Sequence, residues 1–145
     1  MPVMVVGADT EPGQRIIHRF LDNEREVRAF VSDPDVADEL RRRGAKVALG
    51  DVSDDSHLAG ACLNCFSVVL VGAAASDGRE RSFASRPDGV LAAWARAVES
   101  AAVTRVIWVG DVDTPAVEID EVAAVRPDEP DLAEAVFDLD AQRRI

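Results

Sequence analysis

Two glycines follow the first apolar run of the chain with the spacing of a phosphate-binding turn. The run Val3–Val6 stops at Gly7, and Gly13 lies just inside the amphipathic segment that follows. In a dinucleotide-binding turn, one glycine lets the chain leave a strand, a middle one admits the pyrophosphate, and the last lets the helix pack on the sheet. Thr10 holds the middle position here and narrows the space for phosphates. We predict that the site is bordered by Gly7, Ala8, Thr10 and Gly13.

Two carboxylates flank the middle position of this turn. Asp9 and Glu11 would repel the negative charges of a diphosphate, and either carboxylate could instead cap the following helix. The same glycines also suit a strand–turn–helix corner, in which they serve only the backbone geometry. The sequence leaves both interpretations open: a nucleotide site and a corner without a ligand.

The side chains that several common chemistries need are absent or isolated. The chain has no tyrosine, and Lys46 is its only lysine. Cys62 and Cys65 form a single C-x-x-C pair, whereas a structural zinc site takes four ligands. The pair follows a predicted helix at its carboxyl end, where the helix dipole does not activate a thiol. We predict that both cysteines are buried as small apolar side chains, with a redox or metal role as the alternative.

Five apolar runs alternate strictly with amphipathic segments along the chain. The runs comprise residues 3–6, 27–31, 46–49, 68–71 and 103–109. Uninterrupted apolar runs are typical of strands buried on both faces, and regular alternation with helices is typical of a parallel sheet. Right-handed crossovers then predict a three-layer α/β fold, a doubly wound Rossmann-like parallel sheet with the strand order 3-2-1-4-5.

The acidic residues concentrate towards the carboxyl end of the sequence. Residues 111–145 hold 11 acidic and 3 basic residues, whereas residues 1–110 hold 16 and 13. This shift predicts a boundary near Asp111. We expect residues 1–110 to form a Rossmann-type, dinucleotide-binding-like domain, and residues 111–145 to form an acidic C-terminal extension. Helical periodicity predicts one helix within residues 129–142, packed on the same domain.

Net charge and hydropathy exclude several classes of partner. The chain of 145 residues carries a formal charge of −11, which argues against binding to nucleic acid or to anionic membrane surfaces. No apolar run approaches the roughly 20 residues of a membrane span. Met1–Gly7 has no basic residue before its apolar run, so we expect no signal peptide and a cytoplasmic protein.

Four segments of the sequence together resemble one known family. They read VVGADTEPG, EVRAFVSDP, RRRGAKVALGDVSDDSHLAGA and VTRVIWVGD, and the third is the most specific. From Val3 to about Asp111, the chain resembles the atypical short-chain dehydrogenase/reductases, and in particular their NmrA-like group. The resemblance implies a Rossmann fold and a nicotinamide dinucleotide as the cofactor.

The resemblance also implies roles for residues that match the family pattern. Asp51 and Val52 match positions that contact the adenine, and Gly72 and Ala73 match positions that line the ribose and nicotinamide side. The neighbouring polar segment 76–86 carries three arginines. It is either a phosphate-handling loop or, as we expect, a solvated loop.

The residues after the second predicted strand bear on the choice of cofactor. Ser32 lies where NADP-using members of the family often have an arginine for the 2′-phosphate. Asp33 and Asp35 follow it, and this group cannot neutralise a phosphate. The resemblance therefore implies that NAD(H) is preferred over NADP if either binds. We expect the binding to be weak, because Thr10, Asp9 and Glu11 crowd the approach of the pyrophosphate.

The departures from the family pattern concern catalysis. Gly110 and Asp111 stand where the family has a serine or threonine after the fifth strand, and the Tyr-x-x-x-Lys pair has no counterpart. We expect a degenerate NAD(P)-binding protein without catalysis, acting as a nucleotide sensor or a protein-association module. The alternative is an NAD(P)-dependent oxidoreductase or epimerase-like enzyme that lacks the Tyr/Lys pair. Residues 87–102 form a predicted helix on which Trp94 either contacts a second copy in a homodimer or packs in the core.

Overall fold

The computed structural model describes residues 1–145, which fold around one parallel sheet. The strands are β1 Val3–Val6, β2 Val27–Val31, β3 Lys46–Leu49, β4 Ser67–Val71, β5 Arg105–Val109 and β6 Glu121–Val125. The helices are α1 Glu11–Asp22, α2 Pro34–Arg42, α3 Asp55–Ala61, α4 Ala73–Ser76, α5 Pro87–Ala101 and α6 Leu132–Ala141. No helix is both long enough and apolar enough to cross a membrane.

The sheet confirms the predicted Rossmann-like class and adds one strand to it. The observed order is β3-β2-β1-β4-β5-β6, and every neighbouring pair is parallel. The added strand, β6, was not predicted from the sequence; it pairs with β5 alone and therefore lies at an edge. Only Glu121 of this strand is buried, and Val122 is exposed, so β6 lacks the continuous apolar run that predicted the other strands.

Local sequence explains where α1 and α2 begin. Thr10 caps α1 by accepting a hydrogen bond from the Gly13 N–H, and Asp33 caps α2 in the same way from Asp35. Each helix has a proline in its first turn, where a missing N–H breaks no helical hydrogen bond. These caps place the start of both helices at the carboxyl ends of the strands that precede them.

The helices cover the sheet in two layers. The layer with α3, α4 and α5 holds Trp94, which is completely buried and donates its indole N–H to the Val52 carbonyl at 2.8 Å. Trp94 therefore packs in the core and is not a contact for a second copy. Cys62 and Cys65 are buried in the same layer. Burial, with the nearby Cys65, raises the pKa of the Cys62 thiol to about 12, as suits a core side chain.

The layer on the other face contains α1, α2 and α6. Helix α6 packs on α1 through the rings of Phe20 and Phe137, whose centroids are 5.6 Å apart, and Arg19 lies 3.8 Å above the Phe137 ring. A helix thus occupies part of residues 129–142, where periodicity predicts one. Residues 111–145 contribute β6 to the sheet and α6 to this layer. The predicted boundary near Asp111 stays a prediction.

A buried arginine fixes the end of α6 to the sheet. Arg105 is completely buried in β5, and its guanidinium donates to the carbonyls of Leu139, Asp140 and Gln142 at 2.6–3.0 Å. It also donates to Glu121 of β6 at 2.8 Å. The hydrogen bond from Arg105, with one from a backbone N–H, holds the pKa of Glu121 below its usual range. This contact ties β5, β6 and α6 together.

Candidate functional site

The carboxyl ends of β1 and β4 lie side by side at the centre of the sheet, where the crossovers leave in opposite directions. β1 connects to β2 on one side, and β4 connects to β5 on the other. Ligands of doubly wound sheets bind at such a switch point. Two clefts open there: a polar cleft of about 580 Å³ beside β2 and β3, and an apolar cleft of about 340 Å³ beside β4 and β5.

Both glycines of the turn between the clefts are required by the backbone. Gly7 has a φ of +85°, a left-handed conformation that favours glycine. A Cβ on Gly13 would lie 2.0 Å from the Gly7 carbonyl oxygen. The turn therefore keeps its first and last glycines for geometric reasons, whether or not a nucleotide binds.

Thr10 occupies the N-terminus of α1 with its own side chain. Its hydroxyl donates to the Gly7 carbonyl at 2.6 Å and accepts from the Gly13 N–H at 3.1 Å. Pro12 has no N–H, so Glu11 provides the only first-turn N–H of α1 without a partner in the chain. The donors that an anion would use at this helix end are thus mostly absent or taken.

The two acidic residues of the turn, Asp9 and Glu11, neither crowd a phosphate site together nor cap α1, contrary to what was predicted from the sequence. The Asp9 carboxylate is turned towards β2, accepts from the N–H groups of Ser32 and Asp33, and pairs with Arg79 at 3.0 Å. Only 4% of its side chain is exposed. It is therefore neutralised at the end of β2, and it neither caps α1 nor confronts a diphosphate. Glu11 is exposed and does not cap α1 either, since that role falls to Thr10.

Arg79, one of the three arginines of segment 76–86, reaches the polar cleft from the segment after α4. Its guanidinium pairs with Asp77 at 2.7 Å and with Asp9, and it lies 3.4 Å from the Ser32 hydroxyl. Arg81 also pairs with Asp77, and both arginine side chains are only about one-tenth exposed. The prediction of a solvated loop is therefore wrong for these two residues, because the Asp77 carboxylate pairs with both of them.

Asp51, at the end of β3, has its carboxylate occupied by the chain itself. One oxygen accepts from the N–H and hydroxyl of Ser53 at 2.8 and 2.6 Å, and the other accepts from the Ser82 N–H at 2.7 Å. Burial raises the pKa of Asp51, but the hydrogen bonds from Ser53 and Ser82 lower it by more. The pKa of Asp51 therefore lies below its usual value. The adjoining Val52 is completely buried, as is Ala8 in the glycine turn.

Acidification is expected to release residues 77–83 from Asp51. Since the pKa of Asp51 is lowered by folding, its contribution to stability is complete above the unfolded value of roughly 3.9 and is lost as the pH falls through the folded value. In an NMR titration, the Ser82 amide resonance should therefore shift below about pH 4, and the Asp51→Asn variant should show no such shift. A Ser82 resonance that titrates above the ordinary aspartate value contradicts this expectation.

The apolar cleft holds the other two residues assigned by resemblance. Gly72 and Ala73 lie in its wall with Leu91 of α5 and with Gly110 and Asp111 after β5. Carbon atoms dominate this surface, and Asp111 is its only ionisable side chain. The site residues predicted from the sequence are thus divided between two clefts and the turn that separates them, except Val52, which lies in the core and lines neither cleft.

Comparison with known proteins places this geometry in a family. A family model described as NAD(P)H-binding matches residues 7–137. Among curated proteins, the uncharacterized sugar epimerase YhfK of Bacillus subtilis is 28% identical over 106 residues, which cover 71% of this chain and 48% of that protein. The chain therefore spans about half the length of this relative.

Several solved structures share the fold at low sequence identity. The triphenylmethane reductase of Citrobacter sp., complexed with NADP(H), has a TM-score of 0.62 and 18% identity over 76% of this chain and 37% of its own. The anaerobillin reductase ChuY of Escherichia coli O157:H7 has a TM-score of 0.61 and 21% identity over 95% and 60%. The NADPH-dependent quinone oxidoreductase QOR2 of Escherichia coli has a TM-score of 0.60 and 19% identity over 74% and 36%.

Proposed function

Since this chain belongs to the NAD(P)H-binding family, as its match over residues 7–137 shows, we propose that it is a member without catalysis that binds a dinucleotide weakly. It acts as a nucleotide sensor or a protein-association module. The family match confirms the resemblance drawn from the sequence. The observation that carries the proposal is the start of α1, where Thr10 and Pro12 withhold two of the three first-turn donors.

The missing donors account for weak binding. A hydrogen bond to a charged group contributes about 1.5–3 kcal/mol, so losing two of them removes a large share of the affinity for a pyrophosphate. The Thr10 hydroxyl gives no replacement, because it already donates to the Gly7 carbonyl. The helix dipole and the Glu11 N–H remain as attractions for an anion.

The charges of the polar cleft support a preference for NAD(H) over NADP(H). Arg79 is the only basic residue in its wall, and both Asp9 and Asp77 already pair with it. Five carboxylates line the cleft, those of Asp9, Asp33, Asp51, Asp77 and Glu80. A 2′-phosphate would add negative charge beside Ser32, where no cation is free to receive it.

The absence of the usual proton donors supports the lack of catalysis. The chain has no tyrosine, and Lys46 begins β3, so it lies at the opposite end of the strand from the clefts. Asp111 is exposed at the mouth of the apolar cleft, and Gly110 before it carries no side chain. A general acid must lie within hydrogen-bond reach of the reacting group at a suitable pKa.

We expect the purified protein to oxidise NADH at the background rate with quinones and small carbonyl compounds as acceptors. The reason is that no phenol or lysine reaches the apolar cleft. The decrease in NADH absorbance over time measures this rate directly. If the wild-type protein turns over NADH well above background, and Asp111→Asn abolishes that turnover, the result contradicts the proposal.

That contrary result would favour the second candidate, an NAD(P)-dependent oxidoreductase or epimerase-like enzyme without the Tyr/Lys pair. The apolar cleft of about 340 Å³ is the observation in its favour, because its size is that of a small-molecule site. The homodimer through residues 87–102 stays a prediction. It would use the exposed face of α5, which includes Arg96 and Glu99, since Trp94 is buried.

A further inference from the structure

We propose that a small oxyanion, a carboxylate or a phosphate, binds between Arg28 of β2 and Lys46 of β3. A cavity of about 200 Å³ opens beside both side chains. Both residues lie near the amino ends of their strands, so the site is at the opposite end of the strands from the two clefts. The site does not depend on the proposed function, because no part of a dinucleotide is its ligand.

The two cations are direct neighbours in the sheet. Arg28 and Lys46 are register partners in the parallel pair of β2 and β3, so their side chains project from the same face. Like charges that face each other across neighbouring strands repel and destabilise the sheet. An anion between the two side chains would replace this repulsion with two attractions, and its binding would therefore stabilise the fold.

No carboxylate of the chain neutralises this pair, although carboxylates are in excess. The chain has 27 acidic and 16 basic residues, and eleven arginines form ion pairs with carboxylates. Neither Arg28 nor Lys46 forms one, and the exposed Glu26, two residues before Arg28, pairs with neither. The pair is therefore a local positive charge on a chain whose formal charge is −11.

The end of α3 holds the Arg28 guanidinium in place. Its Nη1 donates to the carbonyls of Ala61 and Leu63 at 3.1 and 2.6 Å. No chain oxygen accepts a hydrogen bond from Nε or Nη2, which form a fork on one side of the guanidinium. Arg28 can therefore present two parallel donors to two oxygens of a carboxylate or a phosphate, and Lys46 can add a third from its flexible side chain.

The size and lining of the cavity define the class of ligand. Its volume is below the roughly 300–1,000 Å³ of pockets for drug-sized ligands and cofactors, so the ligand is a small one. No acidic residue lines the cavity, and the rest of its wall is apolar or without a side chain: Met4, Val47, Ala48, Gly60 and Ala61. The expected ligand is inorganic phosphate or a carboxylate with a short aliphatic chain.

The test is an NMR titration with inorganic phosphate and with butyrate, at constant ionic strength and with chloride as the reference anion. The amide resonances of Arg28, Lys46 and Ala61 report on the site. Wild type should bind at least one of the two oxyanions with a Kd of about 1 mM or lower. Lys46→Gln should bind it about tenfold more weakly, because it removes one charged hydrogen bond. The oxyanion that binds more tightly identifies the ligand as a phosphate or as a carboxylate.

Arg143→Gln is the matched control, because it removes the same charge from an exposed arginine that forms no ion pair. It should bind the oxyanion as wild type does. The oxyanion should also raise the urea midpoint of wild type and of Arg143→Gln more than that of Lys46→Gln. Three results overturn the site: no shift of these amides, equal affinity in Lys46→Gln and wild type, or an equal loss of affinity in Lys46→Gln and Arg143→Gln.

Discussion

Replacing Arg105 with methionine is expected to lower the free energy of unfolding by about 3–5 kcal/mol. The guanidinium is completely buried and has three backbone carbonyls and Glu121 as acceptors. Methionine fills a similar volume but donates nothing, so all four acceptors lose the hydrogen bond from Arg105, and Glu121 keeps only the one from the Ile145 N–H. A domain of this size has about 5–15 kcal/mol of stability in total, which makes this loss a large fraction of it.

Two further variants separate the loss of hydrogen bonds from the loss of charge. Arg105→Lys keeps the positive charge but cannot present donors to α6 and β6 together. Its free energy of unfolding should therefore lie between those of Arg105→Met and wild type. Arg126→Met removes an exposed arginine that pairs with Asp128, and this variant should unfold at the same urea concentration as wild type. Urea unfolding followed by circular dichroism measures all of them. An Arg105→Met midpoint equal to that of Arg126→Met contradicts the role given to Arg105.

The second large effect is expected at the start of α1, where Thr10→Gly with Pro12→Ala should bind NAD at least about tenfold tighter than wild type. The first change frees the Gly13 N–H, and the second adds an N–H at residue 12. Glycine is tolerated at a helix N-cap at a cost of only a few tenths of a kcal/mol, so the fold should persist. Asp9 is left unchanged, because it holds the end of β2 and Arg79.

The matched control is Thr10→Ser, whose hydroxyl can still accept from Gly13. It should bind NAD as weakly as wild type, and calorimetric titration with NAD and NADP compares the three proteins. Tight binding by wild type, or equal affinity of the double variant and Thr10→Ser, would refute the explanation of weak binding by missing donors.

Local patterns predicted most of the sheet because the strands concerned are buried on both faces. The run at Val68–Val71 could not be solvated on either side, and its alternation with helices fixed the parallel order. The same reasoning could not find β6, since one face of an edge strand carries exposed residues such as Val122. Periodicity reports burial, and it fails where a strand is only partly buried.

The glycine turn was predictable in outline, but its side-chain contacts were not. Gly7 and Gly13 follow from the backbone geometry that the spacing requires. The direction of Asp9 depends on Arg79, which lies 70 positions later in the chain. The role of Arg105 could not be predicted either, because its acceptors lie near it only when α6 packs against the sheet. Interactions between distant segments leave no local signal, apart from an arginine within an apolar run.

The docking of α6 also affects the order in which the protein can be completed during synthesis. Leu132 and Val136 of α6 are buried in the same layer as Ile107 and Val109 of β5. Because the ribosome delivers the amino-terminal part first, every strand of the sheet has emerged before the helix that covers this surface. The nascent chain therefore passes through a stage in which the surface is open to water and available to chaperones. The acidic residues of 111–145 emerge at that same stage, and their mutual repulsion opposes aggregation of unfinished chains.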